Sequence, residues 1–149
     1  MSDESDLPPD ADPSIGSMPR DVRALYRDMP LVMQLWNIYR SRAIGSWLQE
    51  NEIKVIVNMR WGDERTYRIC CEGVTRKCTI AVGTNGTIRN PEDRRYFVDG
   101  LETIVSELEP SSIVVYGSAP NDIFGPYRSA GIIIVQFDCE TTSAHRGAK

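Results

Sequence analysis

The sequence predicts an α/β fold, namely a small three-layer or partial-barrel domain on a mainly parallel three- to four-stranded sheet. Two observations predict it. Short β-branched runs at 53–59, 78–82, 112–116 and 132–137 are apolar on both faces, as in covered parallel sheets. Segments with helical periodicity alternate with the first three runs, an order typical of a sheet covered by helices. Rossmann-like and partial-barrel strand orders both remain open.

The first predicted helix runs from about Pro30 to Asn51, with Asp28 as its N-cap and Pro30 in its first turn. Apolar residues recur along it at helical spacing and are expected to form its buried face: Val32, Leu35, Trp36, Tyr39, Ala43 and Trp47. Further apolar residues widen this belt beyond one stripe. The width predicts a homo-oligomer, or pairing with another chain, through this helix or a sheet edge.

A strand at 53–59 follows after a very short turn, and a short helix is predicted at about 63–72. Asp63 is a possible cap of that helix, and Gly73 is a natural stop. The next strand is Cys78–Val82.

The best-signalled helix begins at Asn90, which is predicted to cap it, with Pro91 in the first position. It ends before Pro110, and its buried stripe is predicted to comprise Phe97, Leu101, Ile104, Val105 and Leu108. The third strand is 112–116. A Gly- and Pro-rich loop is expected over 117–131, and the direction of the last strand, 132–137, is left open.

Composition predicts one domain over residues 20–140, preceded by a disordered acidic leader at 1–18 and followed by a flexible tail at 141–149. The 149 residues, 41% of them hydrophobic, suffice for one core. A net charge of −4 argues against a surface devoted wholly to nucleic acid or anionic lipid. The chain has no signal-peptide pattern and no apolar run near the roughly 20 residues of a membrane span. We therefore expect a cytoplasmic protein without a membrane partner.

The cysteines and the histidine predict no zinc site. Cys70, Cys71, Cys78 and Cys139 form no C-x-x-C pair, and His145, the only histidine, lies in the tail. Reduced thiols are expected, although the adjacent Cys70 and Cys71 could respond to oxidants. The position of His145 also argues against a Ser-His-Asp or Cys-His mechanism.

Polar residues that follow the strands predict a ligand site, because the carboxyl ends of parallel strands share one rim and ligands usually bind there. The predicted ligand-binding residues are Asn58, Arg60, Trp61, Thr84, Asn85, Tyr116 and Ser118. Asp138 and Glu140 join this rim if the last strand is parallel.

Two interpretations of the cluster after the first strand stay open. In the first, Asp63 or Glu64 performs acid–base work, with a hard metal such as Mg²⁺ able to join them, and Arg60 holds an anion. In the second, Trp61 closes the core, Asp63 caps the next helix, and Arg60 pairs with a carboxylate.

Two functional hypotheses follow. The first is a pocket for a small anionic or nucleotide-like ligand. The second is a non-enzymatic module that binds a host protein or nucleic acid. Nucleic acid is the less favoured partner, because aromatics interleaved with arginines near the first helix more often turn inward. The aromatic and basic residues concerned are Arg20, Arg23, Tyr26, Arg27, Trp36, Tyr39, Arg40 and Arg42.

Several segments, taken together, resemble the bacterial and phage family known as domain of unknown function 4417. They are Leu25–Pro30, Leu35–Arg42, Val55–Arg65, Tyr96–Leu101 and Val114–Gly117. The resemblance implies a protein of bacteria and their mobile elements, and it implies no reaction, cofactor or catalytic residue. The chain departs from the family pattern at Val57, where proline is common, and it is expected to have only the acidic leader where many members carry a longer N-terminal region with an additional strand.

Overall fold

The computed structural model describes residues 29–138. The predicted leader, the predicted tail, the Asp28 cap, Cys139, Glu140 and His145 lie outside this range. The elements in chain order are α1 (Leu31–Glu50), β1 (Val57–Asn58), a 3₁₀ helix (Ile69–Cys71), β2 (Thr79–Gly83), α2 (Pro91–Leu108), β3 (Ser112–Tyr116), α3 (Asn121–Ser129) and β4 (Ile133–Phe137). Within the described range, no helix is long and apolar enough to cross a membrane.

The four strands form one parallel sheet in the order β1-β2-β3-β4, which confirms the predicted α/β class. The last strand, whose direction the sequence left open, is parallel to β3. Each strand lies beside its neighbour in sequence, so this sheet contains no reversal of strand order. A Rossmann-like sheet contains such a reversal, and the observed order is instead that of a segment of a βα barrel.

The core lies on one face of the sheet. Ile80 pairs in register with Ile113, and Val82 pairs with Val115, so these four side chains point to the same face. All four are buried in one cluster with side chains of both following helices: Phe97, Leu101, Ile104 and Leu108 from α2, and Ile123 and Phe124 from α3. The predicted stripe of α2 is therefore confirmed, as is its Asn90 cap, whose side chain accepts a hydrogen bond from Glu92 N–H.

The opposite face of the sheet is open along β3 and β4. Tyr116 and Phe137 are exposed there and pair in register, and Ile133 and Val135 of β4 are exposed beside them. Parallel sheets are normally covered on both faces. This face therefore presents apolar surface that no helix of the described residues covers.

The predicted buried face of α1 is wrong. Val32, Trp36, Tyr39, Ala43 and Trp47 are exposed, and only Leu35 of the predicted set is partly buried. The helix is turned the other way, so its buried residues are Gln34, Asn37 and Ile38. The bounds of α1 agree with the prediction, whereas the choice between its two faces does not.

Three other elements differ from prediction. The expected loop at 117–131 contains α3, because burial of Ile123 and Phe124 offsets the hydrogen bond lost at Pro126 inside the helix. The expected strand at 53–59 shortens to Val57–Asn58, since only these residues pair with β2. The helix expected at 63–72 is a series of turns followed by one 3₁₀ turn, and it does end near Gly73, whose φ is +72°.

Candidate functional site

The carboxyl ends of all four strands lie at one rim, as the parallel sheet requires. Hydrogen bonds extend the pairing past the strand ends: Thr84 N–H donates to the Tyr116 carbonyl at 3.0 Å, and Gly117 N–H donates to the Phe137 carbonyl at 2.8 Å. Because β4 is parallel, Asp138 also lies at this rim, where its carboxylate accepts from the Gln136 amide at 3.2 Å.

The Thr84 side chain links the ends of β2 and β3 at this rim and is shielded from solvent. Its side chain is buried, and its hydroxyl donates to the Ser118 carbonyl at 2.7 Å. Gly117 has φ +114°, and a Cβ there would come within 2.7 Å of the Thr84 hydroxyl oxygen. The rim between β2 and β3 is therefore closely packed. Asn85, Tyr116 and Ser118 are exposed around it.

The Trp61 side chain packs against the inner side of α2. Its indole N–H donates to the Tyr96 carbonyl at 3.0 Å, and its ring lies 5.3 Å from that of Phe97. A Cβ on Gly100 would lie 2.1 Å from the indole nitrogen, so α2 approaches the ring through a glycine. This placement fits the interpretation in which Trp61 closes the core.

Asp63 organises the turn after β1. One of its carboxylate oxygens accepts from the backbone N–H of Arg65 at 3.0 Å, as a capping residue does, and both oxygens accept from the Arg65 guanidinium. The pair raises the pKa of Arg65 through this hydrogen bond and charge. Thr66 closes the turn, because its hydroxyl accepts from Gly62 N–H and donates to the Asp63 carbonyl.

Glu64, the other acid–base candidate, is exposed in the same turn. Within residues 29–138, no three histidine, cysteine or acidic side chains meet as metal ligands would.

A cleft lies between α1, the β1 segment and the chain at 73–79. Its volume is about 560 Å³. Polar side chains of the inner face of α1 line it, together with Asn58, Arg60, Thr75 and Thr79. Those α1 residues are Asn37, Ser41, Arg42, Ser46 and Gln49.

Arg42 is the dominant charge of this cleft. Its Nη2 donates to the Cys70 carbonyl at 2.6 Å, and its Nε donates to the Glu72 carbonyl at 3.4 Å. Nη2 also contacts the sulfur of Met59, a residue that is fully buried. Burial lowers the pKa of Arg42, an effect that Cys70 and Cys71 partly offset.

The structure thus brings Asn58 and Arg60 of the predicted site to the cleft and places the other five predicted residues elsewhere. Sequence reasoning missed Arg42, although a signal was present. Small and polar residues recur on α1 at helical spacing: Gln34, Asn37, Ser41, Gly45 and Gln49. Such a second stripe, opposite the aromatic one, indicates a helix with a polar inner face.

Comparisons with known proteins cover most of this region. The model of the family described as domain of unknown function 4417 matches residues 18–138. The Gene 1 protein of Mycobacterium phage L5 is 32% identical over 94 residues, which are 63% of this chain and 41% of the phage protein. The Gene 1 protein of Mycobacterium phage D29 is 31% identical over 94 residues, 63% of this chain and 35% of that protein. The chain thus spans less than half the length of these curated relatives. No solved structure matches it.

Proposed function

The chain belongs to the family described as domain of unknown function 4417, and because that description assigns no reaction, we propose a function from the cleft: the protein binds a small organic anion between α1 and β1. The observation that carries this proposal is the partly buried guanidinium of Arg42. Among the residues that the structure describes, no carboxylate lies within ion-pair distance of it. We also propose that it acts as a mobile-element protein in the cytoplasm of a bacterial host.

The energetics of a buried charge favour such a ligand. A guanidinium loses hydration on burial, and pairing with an anion offsets part of that cost. Carbonyl oxygens take up Nε and Nη2 of Arg42, and they leave the two N–H groups of Nη1 without a partner in the described part of the chain. Parallel N–H donors of arginine suit a carboxylate or phosphate.

The charge of the cleft lining also supports an anionic ligand. Among the residues that the structure describes, the lining contains Arg42 and Arg60 and no aspartate or glutamate. The chain as a whole carries −4, so this positive cleft is a local exception. A site of this sign attracts small anions.

The size and the remaining lining indicate an organic ligand. A cleft of about 560 Å³ lies within the range of small-molecule sites. Apolar side chains adjoin the arginines: Ile44, Leu48, Val55, Ile56 and Val74. A nucleotide-like or phosphorylated metabolite would place its anionic group at Arg42 and its less polar body against these side chains.

The test is a thermal-shift screen of the full chain at constant ionic strength, with inorganic phosphate, nucleoside monophosphates and simple organic phosphates, followed by calorimetry. A ligand at 100 times its Kd should stabilise the protein by about 2.7 kcal/mol. Arg42→Met should remove this stabilisation. Arg40→Met is the matched control, because Arg40 lies on the same helix outside the cleft lining.

Because Arg42 also anchors Cys70, its variant could lower stability by itself. Arg60→Gln is therefore the second variant and should weaken binding in a protein that still unfolds cooperatively. The proposal fails if no anion raises the melting temperature, or if both cleft variants respond to ligand as the Arg40 control does.

A second candidate function is that of an interaction module that binds a host protein. The open sheet face favours it, since Tyr116, Ile133, Val135 and Phe137 form exposed apolar surface there. A photo-crosslinking residue at Val135 should then capture a host protein, whereas one at Glu102, exposed on α2, should not. Capture that survives Phe137→Lys would argue against this face as the binding surface.

A further inference from the structure

The outer side of α1 is an apolar stripe, made of Val32, Trp36, Tyr39, Ala43 and Trp47. These residues follow one another at steps of four, three, four and four, so they lie along one side of the helix. The exposed fractions are 72% for Val32, 56% for Trp36, 61% for Tyr39 and 60% for Trp47. The rings of Trp36 and Tyr39 stack on each other with centroids 5.6 Å apart.

The exposed apolar area of the stripe is comparable to that of the largest apolar patch on a typical monomeric protein. A buried aromatic side chain removes 150–250 Å² from water, so these fractions correspond to an exposed area on the order of 500 Å². The largest apolar patch of a typical monomeric protein is of about that size, and it is often functional. Here the stripe exists in addition to the open face of the sheet.

We propose that this stripe pairs with the same stripe of a second copy, as two antiparallel α1 helices related by a two-fold axis between Tyr39 and Arg40. A two-fold interface must be self-complementary, with each residue facing its counterpart at equal distance from the axis. Val32 and Trp47 are equally distant from this axis, and so are Trp36 and Ala43. Each tryptophan therefore meets a smaller side chain, Trp36 the partner's Ala43 and Trp47 the partner's Val32.

The buried area agrees with a reversible dimer. Two stripes together would remove roughly 1,000 Å² from water, which is at the lower end of specific interfaces. Interfaces of this size are typical of transient association, so the dimer is expected to dissociate on dilution.

The charges near the stripe argue against two other occupants. Surfaces for single-stranded nucleic acid combine stacking aromatics with a positive groove, and interfacial membrane helices are rich in lysine and arginine. The charged residues of α1 are Arg40, Arg42 and Glu50, and Arg42 is turned into the cleft. Among the charges of the described helix, one arginine beside the stripe is insufficient for either role. This inference is independent of the anion site, which uses the opposite side of α1.

Sedimentation equilibrium of the full chain from 1 to 200 µM tests the proposal. The mass should rise from 16.8 kDa toward twice that value. Trp36→Ala should weaken dimerisation at least tenfold, as loss of a central interface tryptophan does. Circular dichroism and urea unfolding of each variant verify that the monomer is folded.

An exchange of large and small side chains tests the specific geometry. Ala43→Trp alone should also weaken the dimer, because it sets two tryptophans opposite each other. The double variant Trp36→Ala/Ala43→Trp should restore dimerisation to within a few fold of the original, because the same two positions still meet. A merely sticky surface would instead associate more strongly with Ala43→Trp.

Four results overturn the proposal. They are a mass of 16.8 kDa at every concentration, a stronger dimer for Ala43→Trp, no recovery in the double variant, and a monomer that binds a single-stranded oligonucleotide through Trp36. A mass of 16.8 kDa at every concentration would not contradict the proposed anion site, because that site needs only one chain.

Discussion

A glycine-to-alanine substitution at position 100 is expected to destabilise this protein, although alanine favours helices. Gly100 lies within α2, where the exchange alone would gain about 1 kcal/mol of helix propensity. The added Cβ, however, would lie 2.1 Å from the indole nitrogen of Trp61 and within 2.6 Å of two further ring atoms. The ring is rigid and lies 5.3 Å from the ring of Phe97, so it must move as a whole.

The magnitude follows from what that movement disrupts. Overpacking costs about 1–3 kcal/mol. Displacing the ring also weakens the indole hydrogen bond to the Tyr96 carbonyl, worth about 1 kcal/mol, and the aromatic contact with Phe97, worth about 0.5–1.5 kcal/mol. After the propensity gain is subtracted, Gly100→Ala should lower the free energy of unfolding by about 1.5–4.5 kcal/mol.

Gly45 supplies a matched control in another helix. A Cβ there would meet only Val55 Cγ1 at 3.8 Å, an ordinary contact, so Gly45→Ala should raise stability by up to about 1 kcal/mol. Urea unfolding followed by circular dichroism measures both variants. In a Trp61→Leu background, Gly100→Ala should cost much less, because the obstructing ring is gone. The reasoning is refuted if the two glycine variants shift the urea midpoint in the same direction.

Two predictions concern ionisable side chains. Burial first, with the charge of Asp99 next, raises the pKa of Tyr67 from 10.0 to about 12. The folded state then holds the phenolic proton more tightly than the unfolded chain does. The contribution of Tyr67 to the free energy of unfolding is therefore fully present below pH 10, and it falls by about 2–3 kcal/mol toward pH 12. Tyr67→Phe should lose this part of the pH dependence, as urea unfolding at pH 9 and 11.5 would show. A hydrogen bond from the buried Cys70 thiol lowers the pKa of Cys71. Iodoacetamide should therefore label Cys71 before Cys70 in the folded protein. Equal labelling of the two cysteines, measured by peptide mass spectrometry, would contradict this prediction.

Elements whose signals are local were predictable from the sequence. Asn90 and Pro91 specify the start of α2 through capping and a fixed backbone angle, and both act within one turn. β3 has the predicted bounds because its β-branched residues are buried between neighbouring strands. In both cases the residues that carry the signal are the residues that form the element.

The orientation of α1 was not predictable in this way. The helix carries two stripes at helical spacing, and hydrophobicity alone selects the one that contains Trp36. The structure selects the other because Arg42 is held by the carbonyl of Cys70, a residue 28 positions later in the chain. α3 was missed for a related reason. Gly125 and Pro126 are local signals for a loop, whereas the burial of Phe124 depends on the assembled core.

In the candidate site, too, some features follow from local signals and others from long-range contacts. Asn58 ends β1 and Arg60 follows it, and a position at the carboxyl end of a strand was the signal that predicted a ligand site. Whether the cleft then forms at the rim or beside β1 depends on where α1 lies. The predicted rim and the proposed cleft therefore differ because the sequence did not specify which face of α1 packs inward.

The inner face of α1 has a consequence for the order in which the protein opens. α2 is held by the burial of Phe97, Leu101, Ile104 and Leu108, whereas Ile38 is the buried apolar residue of α1. Burial of one such side chain contributes about 1.5–3 kcal/mol, so α1 should detach before the sheet and α2 unfold. Native-state hydrogen exchange should show opening free energies for α1 amides several kcal/mol below those of α2 and β3.

An anion in the cleft should stabilise the protein against every opening that separates α1 from the β1 segment. It contacts α1 on one side and the β1 segment on the other, so it is lost when α1 detaches. At 100 times its Kd, it should raise the opening free energy of α1 by about 2.7 kcal/mol. Amides of α2 that exchange only through global unfolding gain the same amount, whereas those that exchange by local fraying gain nothing. If α1 amides exchange only with the global unfolding of the protein, the contacts of Gln34, Asn37 and Arg42 hold the helix as firmly as an apolar core would, and the argument from its polar inner face is wrong.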